Sequence, residues 1–383
     1  MSKSIELRTL FSSQRIKDEH ARTSSIKRKL TDGVLFFGAG NTGREVVRLN
    51  KHGNQPKVLG FIDDTPGKDG TRVEGIPVYS RSSALSKFGC QTPVVVCVFK
   101  AGVFFKNVQL DVTESGFSTV IPLPDYIRAT GNTIPFYYFS SVDFLQTKYQ
   151  NIENLHSKFF DEKSKEVLRR WINFRLYHDY ENMDKFDRDI YFPDFLPGKK
   201  NPSFCMVDCG AYDGDSITRL LSWRNGLQVS AIAFEPDPSN LERLKTQLSQ
   251  AQTEHLLELQ TVAAAVGDKE GFVNFMDTND ESAHVVEEGG RKVNVVTVDQ
   301  IASKTPRPYY VKYDVEGYEK EALRGTQELI KYQSPSLAIS VYHLPGDLWE
   351  LPEIILDWNP KYKLYLRSHG EEGMDTVLYA IPE

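Results

Sequence analysis

Apolar residues along this chain fall into two alternating patterns. Short unbroken runs, such as Val34-Leu-Phe-Phe37, Val94-Val-Val96 and Cys205-Met-Val207, stop abruptly at a glycine, an acid or a cysteine. Between them, apolar residues recur at spacings of three and four. Unbroken runs read as strands buried on both faces of a parallel sheet, and the spaced ones as amphipathic helices. The alternation begins near residue 31, is interrupted over 131–203, and resumes over 204–383. Two α/β units joined by a connector are therefore expected.

In the first unit, Val34-Leu-Phe-Phe-Gly-Ala-Gly-Asn-Thr-Gly-Arg44 reads as strand, turn and helix start. Gly38, Gly40 and Gly43 match G-x-G-x-x-G in that context. A second strand, Lys57-Val-Leu-Gly-Phe-Ile-Asp-Asp64, ends near where a ribose-binding acid belongs, at Asp63. Further strands are expected at 75–79, 93–99 and 118–122, with helices near 81–88 and 104–115.

Residues 134–182 read mostly as helix, with Val167, Leu168, Trp171, Ile172 and Leu176 on one stripe. The prolines of 189–202 end that pattern. The aromatic residues here are expected to pack the connector, with a cover over the cofactor or acceptor as the alternative.

The second unit opens on Phe204-Cys-Met-Val-Asp-Cys-Gly-Ala-Tyr-Asp-Gly-Asp-Ser216. A strand ends at Asp208, glycines follow at Gly210 and Gly214, and a helix begins. Glycines in such a turn let a ligand approach the backbone. Asp208, Asp213 and Asp215 surround the turn, which disfavours a diphosphate and favours a cationic, hydroxyl-rich ligand. S-adenosylmethionine, with its sulfonium, ammonium and ribose, has that chemistry. The next strand ends at Glu235, 25 residues beyond Gly210, where a carboxylate accepts from both ribose hydroxyls. Pro236 and Pro238 then turn the chain into a helix. A third strand over 256–266 leads to Asp268. Over 268–288 there are seven acids and one base, which reads as a solvated loop carrying His284.

Pro308-Tyr-Tyr-Val-Lys-Tyr-Asp-Val-Glu-Gly317 places Lys312, Asp314 and Glu316 at one parity. They share one face at the carboxyl end of a central strand, where α/β ligands bind. A structural Lys312–Asp314 ion pair is the simpler alternative. Ser336-Leu-Ala-Ile-Ser-Val-Tyr-His343 is a further strand ending in a histidine suited to general-base work. Strands at 361–367 and 376–381 close the sheet as a hairpin, one of them antiparallel.

Composition changes this picture little. Hydrophobic residues make up 40% and charged residues 26%, ordinary values for a soluble protein. A net charge of −6 argues against non-specific nucleic-acid binding. No apolar run is long enough to span a bilayer. Residues 1–30 hold eight Lys/Arg and three Asp/Glu, a basic leader expected to be solvated or partly helical. Cys90, Cys97, Cys205 and Cys209 form no Cys-x-x-Cys pair and read as reduced, buried thiols of a cytoplasmic protein.

Taken together, Val207-Asp-Cys-Gly-Ala-Tyr-Asp-Gly-Asp215, Phe234-Glu-Pro236, Ala265-Val-Gly-Asp268, Lys312-Tyr-Asp-Val-Glu-Gly317 and Val341-Tyr-His343 resemble the FkbM family of S-adenosylmethionine-dependent methyltransferases. The resemblance covers about 180 residues. It implies a class I methyltransferase fold, a seven-stranded, mostly parallel sheet closed by an antiparallel hairpin. It also implies O-methylation, often of sugar or polyketide hydroxyls, by in-line transfer from the sulfonium. Carried onto this sequence, Asp208, Gly210, Ala211, Tyr212 and Gly214 line the cofactor turn. Glu235, followed by Pro236, holds the ribose, and Asp268 lies near the adenine. Asp314 and Glu316 face the transferring methyl, with Lys312 tuning Asp314. Asp314 or His343 is the base. Tyr313 departs from the family's usual isoleucine or leucine, and its parity points it away from the site. No metal is required by this reading, and a divalent ion on Asp314 and Glu316 is a lesser option.

Separately, Phe37-Gly-Ala-Gly40, Gly60-Phe-Ile-Asp-Asp64 and Gly75-Ile-Pro-Val78 resemble the N-terminal domain of bacterial sugar acetyltransferases. That likeness implies a Rossmann-like nucleotide-sugar site at Gly38, Gly40, Gly43 and Asp63. The expected organisation is a basic leader (1–30), a Rossmann-like domain (31–130), a mostly helical connector (131–203) and a methyltransferase domain (204–383). A sugar or sugar-nucleotide acceptor is expected, with a homodimer as an open option. Two other functions compete: a nicotinamide-dependent oxidoreductase built on the first domain, and a non-catalytic nucleotide-sugar module. The absence of any Tyr-x-x-x-Lys pair weighs against the commonest form of the former.

Overall fold

The computed structural model describes residues 6–50, 55–99, 102–131, 137–181, 183, 186–276, 284–286, 289–302 and 309–383. By internal contacts the chain forms two units. The first comprises Met1–Gln150, Leu168–Phe186 and Gly370–Met374; the second comprises Asn151–Val167, Asp187–His369 and Asp375–Glu383.

The first unit begins with α1 (Leu7–Leu10) and α2 (Ser13–Lys29). Then come β1 (Val34–Phe37), α3 (Asn41–Leu49), β2 (Val58–Ile62), β3 (Arg72–Val73), β4 (Ile76–Tyr79), α4 (Arg81–Phe88), β5 (Val94–Val96), α5 (Phe105–Glu114), β6 (Val120–Pro122), α6 (Leu123–Thr130) and α7 (Val142–Thr147). Its sheet runs β3-β4-β2-β1-β5-β6. All neighbours pair in parallel except β3 with β4. The basic segment before β1 is more than a solvated leader. Ile16 and Glu19 of α2 are buried, and Glu19 pairs with Arg22 at 2.7 Å and Arg128 at 2.8 Å. Burying a carboxylate is costly unless it is paired or hydrogen-bonded in this way.

The connector supplies α8 (Tyr149–Lys158) and α9 (Glu162–Tyr177), the latter divided between the units. Its expected stripe, Val167, Leu168, Trp171, Ile172 and Leu176, is buried throughout.

The second unit continues with β7 (Cys205–Cys209), α10 (Asp215–Arg224), β8 (Val229–Phe234), α11 (Pro238–Thr253), β9 (Leu257–Val262), β10 (Ala265–Val266), β11 (Gly271–Met276), β12 (His284–Val286) and β13 (Arg291–Val296). It ends with α12 (Val298–Ala302), β14 (Tyr310–Tyr313), α13 (Glu319–Arg324), α14 (Gln327–Tyr332), β15 (Ser336–Ser340), α15 (Asp347–Trp358), β16 (Tyr362–Ser368) and β17 (Thr376–Pro382). The main sheet runs β16-β17-β15-β14-β7-β8-β9. Only β17 runs against its neighbours. This is the α/β sheet expected from the sequence, with its single antiparallel strand.

Two expectations change. The acidic stretch after residue 268 is not a simple solvated loop. Its described residues form β11 and β12, which join β10 and β13 in a four-stranded sheet ordered β10-β13-β11-β12. Phe275, Val293 and Val295 alternate inward there and share a small core with Ala265. The backbone of His284 lies in β12; residues 277–283 and 287–288 lie outside the described set. Among the cysteines, Cys97, Cys205 and Cys209 are buried thiols, but Cys90 is exposed.

Candidate active site

The carboxyl ends of β7, β8, β14 and β15 gather the charged side chains of the second unit. Register explains the first contact. Lys312 lies directly opposite Asp208 across the β14–β7 pair, so the two side chains share a face. Asp208 is fully buried and Lys312 nearly so, and Lys312 Nζ sits 3.1 Å from Asp208 Oδ1. Ser216, in the first turn of α10, donates its hydroxyl to Asp208 Oδ2. Burial pushes the Asp208 carboxyl above its ordinary range. Burial alone would lower the Lys312 ammonium; Asp208 and Asp314 outweigh it and hold Lys312 charged. Lys312 Nζ also donates to the Gly210 carbonyl at 2.8 Å, tying β14 to the turn.

That turn is built tightly. Gly210 and Ala211 donate to the Phe234 carbonyl at 3.1 and 2.9 Å. Gly210 has φ +83°, and a Cβ there would lie 1.9 Å from the Asp314 carbonyl oxygen. The space a side chain would occupy is therefore filled by the neighbouring strand end, not left for a ligand. Gly214 (φ +89°) is backed by Leu244 and Leu248 of α11. Tyr212 donates its backbone N–H to Glu235 Oε2 at 2.9 Å.

Glu235, at the end of β8, also accepts from the Asp237 N–H at 2.8 Å and from Asn240 Nδ2 at 3.4 Å. Asp237 in turn caps α11, accepting from the Ser239 and Asn240 N–H groups. Burial raises the Glu235 carboxyl to about 7 in spite of these donors. Asp268 is exposed beyond β10. Pro236 accepts from Arg291 Nη2 at 3.2 Å through its carbonyl.

Asp314, Glu316 and His343 converge past the ends of β14 and β15. His343 Nε2 lies 3.6 Å from Asp314 Oδ1 and 3.7 Å from Glu316 Oε1. Glu316 adopts φ +53°, a conformation costly for a side-chain-bearing residue and concentrated at functional turns. Burial raises the Asp314 carboxyl, but Lys312, His343 and the Tyr191 hydroxyl outweigh it and hold the group below its ordinary range. Burial would lower His343; Glu319 and Glu316 instead hold it well above the usual histidine range. Tyr313 is fully buried on the opposite face of β14, as its parity requires.

Two neighbours escaped the sequence reading. Glu319, fully buried at the start of α13, accepts from His343 Nδ1 at 2.8 Å and from the Val315 N–H at 2.8 Å. It lies at i+3 from Glu316, so the helix start itself was the available signal. Tyr191 donates its hydroxyl to Asp314 Oδ2 at 2.7 Å. It comes from an irregular segment with φ +68°, where no periodicity marks it.

In the first unit, Gly38 (φ +101°) makes the turn, and a Cβ on Gly43 would lie 2.2 Å from the Gly38 carbonyl. At Gly40 nothing lies within 4 Å of a Cβ position. Asp63 accepts from the Ala39 N–H at 2.9 Å and the Thr65 N–H at 3.0 Å, and pairs with Lys68 at 2.9 Å. Burial would raise its carboxyl, but these donors lower it to about 2.

Residues 208–370 match the family model described as the methyltransferase FkbM domain, which takes in Asp208, Glu235, Asp314 and His343. This chain carries an FkbM methyltransferase domain. A solved structure of methyltransferase FkbM from Methylobacillus flagellatus KT shares the fold, with TM-score 0.75 and 22% identity over 98% of this chain and 100% of that one. A looser likeness is a precorrin-6y C5,15-methyltransferase from Geobacter metallireducens GS-15, with TM-score 0.30 and 12% identity over 51% and 84% of the two chains. No curated protein matches the sequence. The FkbM domain makes the protein a methyltransferase, and among its described residues no helix is long and apolar enough to cross a membrane.

Proposed function

We propose that the FkbM domain transfers a methyl group from S-adenosylmethionine to a hydroxyl of a saccharide or another small molecule. The observation that carries this reading is Glu235. It is a buried carboxylate at the end of β8, bonded to the backbone of the Asp208–Gly214 turn. The donor set fits a nucleoside with a cationic tail. Carboxylates surround the turn, and Lys312, the cation inside it, is committed to Asp208 and the Gly210 carbonyl. When bound, the cofactor supplies an already activated methyl group. The protein's part is alignment and proton removal. Asp314 is the proton acceptor on this reading, because the carboxylates around His343 favour its protonated form. Tyr191 and Lys312 fix the Asp314 carboxylate. The saccharide acceptor rests on the family resemblance and is tested by labelled-methyl incorporation across a panel of nucleotide-sugars and free sugars.

Glu235 gives a pH signature. Its carboxyl sits near 7 instead of 4.5. The stability contributed by the protonated form is present below pH 4.5 and is lost as pH rises through about 7. Ribose hydroxyls donate to the ionised form, so cofactor binding runs the other way. Calorimetric affinity for S-adenosylmethionine should fall about tenfold from pH 8 to pH 6. Glu235→Gln should bind at least tenfold more weakly at pH 8 and lose that pH dependence. Equal binding by wild type and variant, or none by either, rejects the assignment.

The openness at Gly40 favours a second reading, for the first unit alone: a nucleotide-sugar site at Gly38–Gly43 that serves the methyltransferase. A diphosphate at a helix N-terminus needs close backbone approach at the second glycine, while the third packs helix on strand. Gly40→Ala should keep the melting temperature and lose saturable binding of a nucleotide-sugar. Gly43→Ala should unfold the unit. A saturable fluorescence titration with NADH would instead revive the oxidoreductase alternative.

A further inference from the structure

Asp314, Glu316 and His343 each turn one ligand atom toward a common point, and these atoms all lie within 4.8 Å of one another. The histidine decides what the point is for. His343 is 3% exposed, and its Nε2 has no hydrogen-bond partner. Distances of 3.6 and 3.7 Å to Asp314 Oδ1 and Glu316 Oε1 are too long for hydrogen bonds. Asp314 Oδ1 is likewise buried and without a hydrogen-bond donor.

The other ring nitrogen is fixed. Glu319 Oε1 stands 2.8 Å from His343 Nδ1, and the same oxygen accepts from the Val315 N–H. An ionised carboxylate in that place keeps a proton on Nδ1, so a divalent ion has only to displace the Nε2 proton for the lone pair to face two carboxylate oxygens. A carboxylate behind a histidine is the arrangement that orients imidazole toward a metal ion. Charge points the same way. Asp314, Glu316 and Glu319 crowd His343, and the nearest cation, Lys312, is 4.0 Å from Asp314 and already paired with Asp208 at 3.1 Å. Metal–ligand bonds of ~2.1 Å leave neighbouring donor atoms ~3.0–3.5 Å apart, close to the two histidine spacings of 3.6 and 3.7 Å, with all three atoms inside 4.8 Å.

We infer that Asp314, Glu316 and His343 form a divalent metal site, with Glu319 as the positioning carboxylate behind the histidine. One imidazole and two carboxylates suit a first-row ion such as Mn²⁺, and three protein ligands leave positions open for oxygen ligands. The metal's role rests on the methyl-transfer reading. The open positions take the acceptor hydroxyl and lower its pKa. The acceptor oxygen then forms the C–O bond, the C–S electron pair leaves with sulfur, and the hydroxyl proton goes to water. Asp314 is a ligand in that state, so its part as proton acceptor belongs to the metal-free site and passes to water when the ion is bound.

The test uses the full chain stripped with chelator and then titrated with MnCl₂, followed by calorimetry and by the loss of the free Mn²⁺ electron-resonance signal. One saturable equivalent per chain is expected. Glu316→Gln, at a half-exposed position that spares the core, and His343→Gln should each weaken binding at least tenfold. Glu319→Gln should weaken it 10- to 100-fold. Variants are compared only where they unfold cooperatively like wild type. Absence of saturable binding, or equal binding by wild type, Glu316→Gln and His343→Gln, overturns the site; a proton then fills the gap. S-adenosylmethionine affinity, measured on the same stripped protein, separates the two ideas. Cofactor binding without Mn²⁺ binding sinks the metal site alone. Mn²⁺ binding without cofactor binding keeps the site and removes its proposed role.

Discussion

Gly210→Ala should prevent the FkbM domain from folding. The new methyl group would lie 1.9 Å from the Asp314 carbonyl oxygen, far inside van der Waals contact. The obstacle is backbone, at the junction of two central strands, so no side chain can swing aside. The residue also holds φ +83°, which penalises any Cβ. Together these place the cost at about 4 kcal/mol or more, among the largest for a single substitution. Soluble yield and thermal unfolding are the measurements. A soluble variant with a wild-type melting temperature would mean that the turn is held differently. Gly214→Ala is the milder comparison, because its nearest contacts are the Leu244 and Leu248 side chains at 3.1–3.3 Å, which can shift.

Lys312→Met should cost about 3–5 kcal/mol, because it strands the fully buried Asp208 carboxylate without its cation. For a domain of this size that is a fall of roughly 10 °C in melting temperature. Removing both charges, as Asp208→Asn with Lys312→Met, should recover most of the loss. The Ser216 hydroxyl keeps an acceptor, and Asp314, 4.0 Å from Lys312, keeps the Tyr191 hydroxyl. Additive losses in the double variant would show that the pair contributes by something other than mutual neutralisation.

The sequence made much of this arrangement legible, for identifiable reasons. Asp208 stood out as the acid that ends an apolar strand before a glycine turn, and Lys312 because charge on a central parallel strand is unexpected. Glu235 stood out because strand ends are where α/β sheets meet ligands. The lone antiparallel strand followed from a closing hairpin after five parallel repeats. What escaped depends on tertiary placement. Tyr191 reaches Asp314 from a segment with no regular period. Glu319 is a first-turn acid that nothing in the sequence sets apart, and only the fold places it behind His343. Gly210 was read as room for a ligand, whereas its missing side chain makes room for the Asp314 carbonyl. A loss of volume looks the same in sequence whichever neighbour uses it. The strands at 271–276 and 284–286 were hidden by the acids that flank them in sequence, since the net charge of a stretch does not separate a loop from short strands between charged residues.

The position of β17 bears on how the chain is made. It is the last strand in sequence, yet it lies inside the sheet, between β15 and β16. During synthesis the nascent domain therefore waits with the edge of β15 uncovered, and that strand is buried at every position in the finished fold. Until residues 376–382 emerge, β15 offers unpaired backbone to any passing strand, and β16 has nothing in the sheet to pair with. A chain interrupted after β16 is thus a sticky intermediate rather than a slightly shortened enzyme, and the ribosome and chaperones carry the burden of that interval.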